Sequence, residues 1–127
     1  MNTKHVPDLE LCQEFDRLCR EKGIVVPPTM FGWQKEGSEY VLHYFEDHKS
    51  YKDIPAPLVS EQGEWLPAFI KGKRLQTDKM PDSKSWMVCY LPLNEEDEEW
   101  AELGTNEANA RQKMLNYLII EGVITNL

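Results

Sequence analysis

The last quarter of the chain constrains its fold most. From Thr105 to Glu121 the apolar residues Ala108, Met114, Leu115, Leu118 and Ile119 return at three- and four-residue steps, the mark of a helix with one buried face. Thr105 or Asn106 can cap its first turn. Gly122, followed by Val123 and Ile124, supplies a left-handed stop. Arg111 falls in the middle of the apolar face, so its guanidinium must snorkel to water or meet an acid. A helix bounded this clearly needs a partner surface, and the rest of the chain has to provide it.

The densest charge of the sequence runs into that helix. Seven acids (Glu95, Glu96, Asp97, Glu98, Glu99, Glu102 and Glu107) pass before the next base, Arg111. Trp100 sits among them. The stretch Glu95 to Trp100, with Glu102 beside it, reads as an acidic loop with an aromatic tip. Such a loop can cap the helix electrostatically while solvated. It can also dock a basic protein, or mimic a phosphate array in a basic groove, with Trp100 as an anchor.

A chain of 127 residues fits one domain, residues 1–127, and 41% apolar residues suffice for a core without disulfides or metals. The net charge of −8 repels nucleic acid and favours a basic protein partner. Three cysteines, Cys12, Cys19 and Cys89, are an odd set with no metal-binding spacing. Cys12 and Cys19 share a helix face about 10 Å apart by helical rise, too far to bond, and read as small core residues. No stretch approaches the ~20 apolar residues of a membrane span, and the first residues carry no apolar leader. A cytoplasmic protein is expected.

The first element is a helix from about Pro7 to Lys22, with Leu11, Cys12, Phe15, Leu18 and Cys19 as its stripe. Gly23 ends it and Ile24 folds back on the last turn. A hairpin follows, Met30–Lys35 and Glu39–Phe45, turning through Glu36-Gly37-Ser38. Large side chains stand on both of its faces, so one face is expected to be covered and the other to stay aromatic. That leaves a homodimer through the aromatic sheet face open.

Glu46 to Ile54 reads as a polar connection closed by Pro55-Ala56-Pro57. Ser60 suits the N-cap of a short helix that Pro67 stops near Leu66. Lys71 to Lys84, with five bases against two acids, reads as a loop or loose hairpin arm. Ser85 to Leu91 is a third strand. The order α-β-β-α-β-α predicts an α+β fold, a small antiparallel sheet of about three strands packed against two long helices.

Few constellations carry chemistry. His43, Glu46, Asp47 and His48 form one histidine–carboxylate cluster, but their spacing suits neither a helical nor a strand pair of ligands. No glycine-rich phosphate loop and no nucleophile motif appears. No enzyme, metal or cofactor is therefore expected. Lys71, Lys73 and Arg74, with Tyr51, Trp65 and Trp86 as stacking platforms, offer a nucleic-acid alternative against the prevailing charge.

Three segments carry a resemblance: Leu11 to Ile24, Pro55 to Pro67, and Ala110 to Ile124. In that order they resemble short uncharacterised proteins carried by phages, prophages and mobile elements of gut Bacteroides-type bacteria. Those proteins tend to have Leu-Leu where this chain has Gln62-Gly63. The resemblance implies no activity, cofactor or site residue; it implies a small accessory protein acting on host or phage machinery. The expected function is that of a non-enzymatic protein-binding factor, or failing that a structural domain without a separable site. Its expected working surface is Glu95, Glu96, Asp97, Glu98, Glu99, Trp100 and Glu102.

Overall fold

The computed structural model describes residues 5–45, 53–81, 84–94 and 98–127. It is an α+β fold of three helices and two antiparallel sheets, rather than one three-stranded sheet with two helices. Helix α1 (Leu9–Lys22) is followed by strands β1 (Phe31–Glu36), β2 (Glu39–Tyr44) and β3 (Ile54–Ala56). Helix α2 (Val59–Trp65), strands β4 (Phe69–Ile70), β5 (Lys73–Lys79), β6 (Trp86–Pro92) and β7 (Trp100–Gly104), and helix α3 (Glu107–Ile120) complete the order. One sheet runs β2-β1-β3 and the other β4-β5-β6-β7.

The helices form where the apolar stripes place them, and both end alike. Gly23 is left-handed at φ 69°, and the Gly23 and Ile24 amides donate to the carbonyls of Arg20 and Cys19. Gly122, at φ 71°, repeats the motif, with its own amide and that of Val123 donating to Ile119 and Leu118. Each is a Schellman stop. The first helix begins two residues later than expected: Asp8 stands at its N-cap, and Pro7 lies outside it rather than at its first position. Pro7 is buried just before it.

The two long helices run parallel, pinned at three levels. Asp8 donates its amide to Asn109 Oδ1 at 2.8 Å, and Asn109 Nδ2 returns a bond to Asp8 Oδ2 at 3.0 Å. Asn116 Nδ2 donates to the Leu11 carbonyl at 3.2 Å and to Glu14 Oε1 at 3.0 Å. Lys22 Nζ donates to the Ile119 carbonyl at 2.8 Å, where a cation suits the negative end of a helix.

Two apolar clusters share α1. Its C-terminal half brings Phe15, Leu18 and Cys19 into the larger one, against Val88 and Tyr90 of β6 and Met114, Leu115 and Leu118 of α3. Phe15 stacks on Trp65 at 5.8 Å between ring centroids. Its N-terminal half brings Leu9 and Cys12 into the smaller cluster, with Val6, Ile54, Phe31, Trp33, Tyr40 and Leu42. The aromatic face of the hairpin therefore packs on this cluster, with Phe31, Trp33 and Tyr40 partly buried and Tyr44 exposed.

Four expectations need correction. Ile54-Pro55-Ala56 is not a mere closure but a strand paired to β1, with Pro55 opposite Gly32. As an outer strand it tolerates a residue without an amide donor. The basic stretch after Lys71 is not a loop: Lys73 to Lys79 pairs residue by residue with β6. Ser60 does not cap α2; Leu58 stands at that position, and Glu61 Oε1 accepts its amide at 2.7 Å. Trp100 to Gly104 is a strand rather than the end of a loop.

Candidate functional site

The acidic run divides on the structure. Glu95, Glu96 and Asp97 lie outside the described residues. Glu98 and Glu99 are exposed and lead into β7, where Trp100, Glu102 and Gly104 alternate with Ala101 and Leu103. Trp100, expected as a protruding anchor, is instead half-buried. Its ring lies edge-to-face with Tyr90 at 6.3 Å and Tyr117 at 6.0 Å. Buried Lys73 reaches across β6 to place its ammonium 4.6 Å from the Trp100 ring centroid. Trp100 is a rivet between sheet and helix, and only part of it faces outward.

What faces outward is a groove between β7 and the two long helices. Glu98 to Glu102, Met114 and Tyr117 line a first cleft of about 180 Å³. Glu102 and Tyr117 are also walls of a second, of about 270 Å³, which adds Leu11, Glu14, Lys113 and Ile120. A third, of about 360 Å³, shares Leu11, Glu14 and Lys113 with the second and extends to Asp8, Glu10, Thr105 and Asn109. The three share walls in turn. Together they hold six carboxylates, Asp8, Glu10, Glu14, Glu98, Glu99 and Glu102, against one cation, Lys113. That cation is already engaged, with Nζ donating to the Leu103 carbonyl at 2.8 Å.

The field of these acids registers on Tyr117. Its phenol is raised above 10.0, first by burial of the group and then by Glu121, Glu98 and Glu102. Most of the groove escapes a reading of the sequence because α1 contributes Leu11 and Glu14, β7 contributes Glu102, and α3 contributes Tyr117 and Ile120. The one local signal is Lys113, Tyr117 and Ile120, a second stripe beside the core face of the last helix.

A buried amide chain holds the groove's floor in place. Gln62 Nε2 donates to the Ala108 carbonyl and to Gln112 Oε1, each at 3.0 Å. Gln112 Nε2 donates to Asn116 Oδ1 at 2.8 Å, and Asn116 passes the chain to Glu14. Gln62 thus replaces apolar packing with a line of bonds across three helices. Gly63 leaves room for the Arg111 guanidinium, which approaches the position a side chain there would occupy. Arg111 meets the acid its place on the helix called for, Glu107, at 3.0 Å.

Catalytic chemistry finds little footing among the described residues. Burial pushes Cys12 up to about 12 and Cys19 up to about 11, and raises Cys89 as well, so all three thiols stay protonated and poor as nucleophiles. Tyr90, also raised by burial, donates its hydroxyl to the Pro67 carbonyl at 2.7 Å. His43 pairs with Glu36 at 2.8 Å, while Glu46, Asp47 and His48 lie outside the described residues. No group of three metal-ligating side chains converges among the described residues. No described helix is long and apolar enough to cross a membrane. No family model, curated protein or solved structure matches the chain.

Proposed function

We propose that this chain is a non-enzymatic accessory protein that docks a basic protein partner in the groove between β7, α1 and α3. The observation that carries the reading is the charge ratio of the three clefts: six carboxylates, of which Asp8 and Glu14 accept bonds from Asn109 and Asn116, against one ammonium bonded to a backbone carbonyl. The floor supplies apolar contact through Tyr117, Met114, Leu11 and Ile120. Charge at a rim steers a partner and selects against wrong ones, while aromatic and aliphatic contacts hold it. The resemblance to phage and mobile-element proteins points the same way, to a factor that acts on other machinery.

The nucleic-acid alternative has less to stand on. Lys73 is buried against Trp100 and half-buried Trp65 gives one ring face to Phe15, which leaves Lys71 and Arg74 as the exposed bases of that set, while Tyr51 lies outside the described residues.

The test is capture at graded salt with mass-spectrometric identification. The wild-type chain should retain a basic protein at low salt and release it as salt rises. The triple variant Glu98→Gln, Glu99→Gln, Glu102→Gln should fold and retain none. Equal recovery by both chains overturns the proposal.

A further inference from the structure

The first cleft has a property the charge count does not explain. Five consecutive residues, Glu98 to Glu102, line it, the last three of them in β7. Side chains of a strand alternate between faces, so consecutive residues share a cleft only where it runs along the backbone edge. Strand β7 is the outer strand of its sheet. Its edge is what the cleft exposes.

The ladder says which groups point there. The Met80 amide donates to the Ser85 carbonyl at 2.9 Å, and the Leu93 amide to the Gly72 carbonyl at 3.0 Å. These bonds extend the β5–β6 ladder at both ends. They set the odd-numbered residues of β6 towards β5 and the even-numbered ones towards β7. Through the pairs Tyr90–Trp100 and Val88–Glu102, the even-numbered residues of β7 bond inward. Ala101 and Leu103 therefore direct their amides and carbonyls away from the sheet. The Leu103 carbonyl confirms this geometry, because it is the one Lys113 reaches from outside. Among the described residues nothing else bonds to this edge. At Gly104 the last helix lies directly on the sheet face, since a side chain there would run into the backbone of Ala110.

We infer that the partner's docking segment is an extended strand that adds antiparallel to β7, carrying Lys or Arg at alternate positions opposite Glu98 and Glu102. The inference rests on the reading of the groove as a docking surface and specifies what occupies it. Directly paired residues of an antiparallel ladder share a face. The basic residues of the added strand thus lie on the groove face; the residue opposite Ala101 exchanges both backbone bonds, and the one opposite Leu103 displaces Lys113 from its carbonyl. A second copy of this chain is the wrong occupant: pairing β7 with β7 sets Glu98, Glu99 and Glu102 against their own charge.

The probe is a short synthetic peptide of alternating lysine and valine, titrated by calorimetry against the full chain. Two derivatives separate edge bonding from charge. N-methylation of the valines removes the donors that face β7 and should weaken binding at least roughly tenfold. N-methylation of the lysines blocks only amides that face solvent and should leave affinity within about a factor of two. Ala101→Pro, which removes an outward amide without breaking the β6 ladder, should weaken the parent peptide as valine methylation does. If that variant folds poorly, the peptide pair still decides.

Equal affinity of both methylated peptides overturns strand addition and leaves the docking groove standing. Failure of the parent peptide to bind overturns both. A concentration-dependent dimer that Ala101→Pro dissolves overturns the choice of occupant.

Discussion

The two sheets share α1, yet one outer strand of each, β3 and β7, is finished in an opposite way. In the smaller sheet β3 is three residues long and fully buried, with Pro55 at its centre, so it offers an incoming strand little to pair with. In the larger sheet β7 is five residues long, has no proline, and faces a cleft along its edge. Negative charge is what guards it. A short, proline-bearing edge excludes any partner, whereas a charged edge excludes only partners of like charge. The β3 edge is closed by geometry and the β7 edge is gated by electrostatics, while β2, the other outer strand of the smaller sheet, is six residues long and has no proline.

The largest effect tests whether the two sheets stand or fall together. Phe15 is fully buried where α1 meets the larger sheet, and Phe15→Ala should cost about 3–5 kcal/mol in urea unfolding. Ile54→Ala, in the smaller cluster, should cost about 2–3 kcal/mol, because fewer buried residues surround it. Hydrogen exchange sharpens the contrast. Ile54→Ala should release the amides of β1 and β3 well before those of β6. Uniform loss of protection across both sheets would show a single cooperative unit instead.

Next comes the amide chain beneath the groove. Gln62→Ala removes the donor to Ala108 and Gln112 and opens a cavity in a fully buried position. A cost of about 2–3 kcal/mol is expected from the orphaned acceptor and lost packing together. Because the chain ends on Glu14, the groove's far wall should loosen too, seen as faster exchange at the Asn116-linked first turns of α1. A cost below about 0.5 kcal/mol would mean the bonds are replaced by water and hold nothing in place.

The same comparison explains what was legible beforehand. Both long helices could be read because stripe and glycine stop are local and agree, and the hairpin because Gly37 turns between alternating bulky residues at φ 64°. Strand β5 was hidden because Lys-Arg-Leu-Gln-Thr-Asp-Lys has a single apolar residue, Leu75. It is a strand because β6 offers seven paired positions to it. Strand β7 was hidden by its own charge: Glu98, Glu99 and Glu102 obscure the alternation of Trp100 and Glu102 with Ala101 and Leu103. The buried amides Asn109, Gln112 and Asn116 were missed on a helix read only for its apolar face. Amides enter a core when they find one another, and that pairing spans fifty residues of chain for Gln62 alone. Glu98 to Glu102 could be nominated from sequence, but the groove they border could not, since its other walls come from helices at both ends of the chain.

The smallest effect is the most direct reading of the charge gate. Tyr117 sits in the groove with its phenol raised above 10.0, by burial first and by Glu121, Glu98 and Glu102 after it. Glu98→Gln with Glu102→Gln should lower that value towards 10.0 without reaching it, because burial and Glu121 remain. Ultraviolet titration of tyrosinate reads the shift, and Tyr117→Phe identifies which transition belongs to this ring. Linkage sets the sign for stability. A phenol raised in the folded state keeps a proton that the unfolded chain releases, so folding loses stability as pH climbs from about 10 through the folded value. The double variant should therefore lose less stability over that alkaline window than the wild-type chain, while at neutral pH the two should agree within about 0.5 kcal/mol. An unchanged tyrosinate titration would show that Glu98 and Glu102 do not act on the ring. Strand β7 would then lack the electrostatic gate that distinguishes its edge from that of β3.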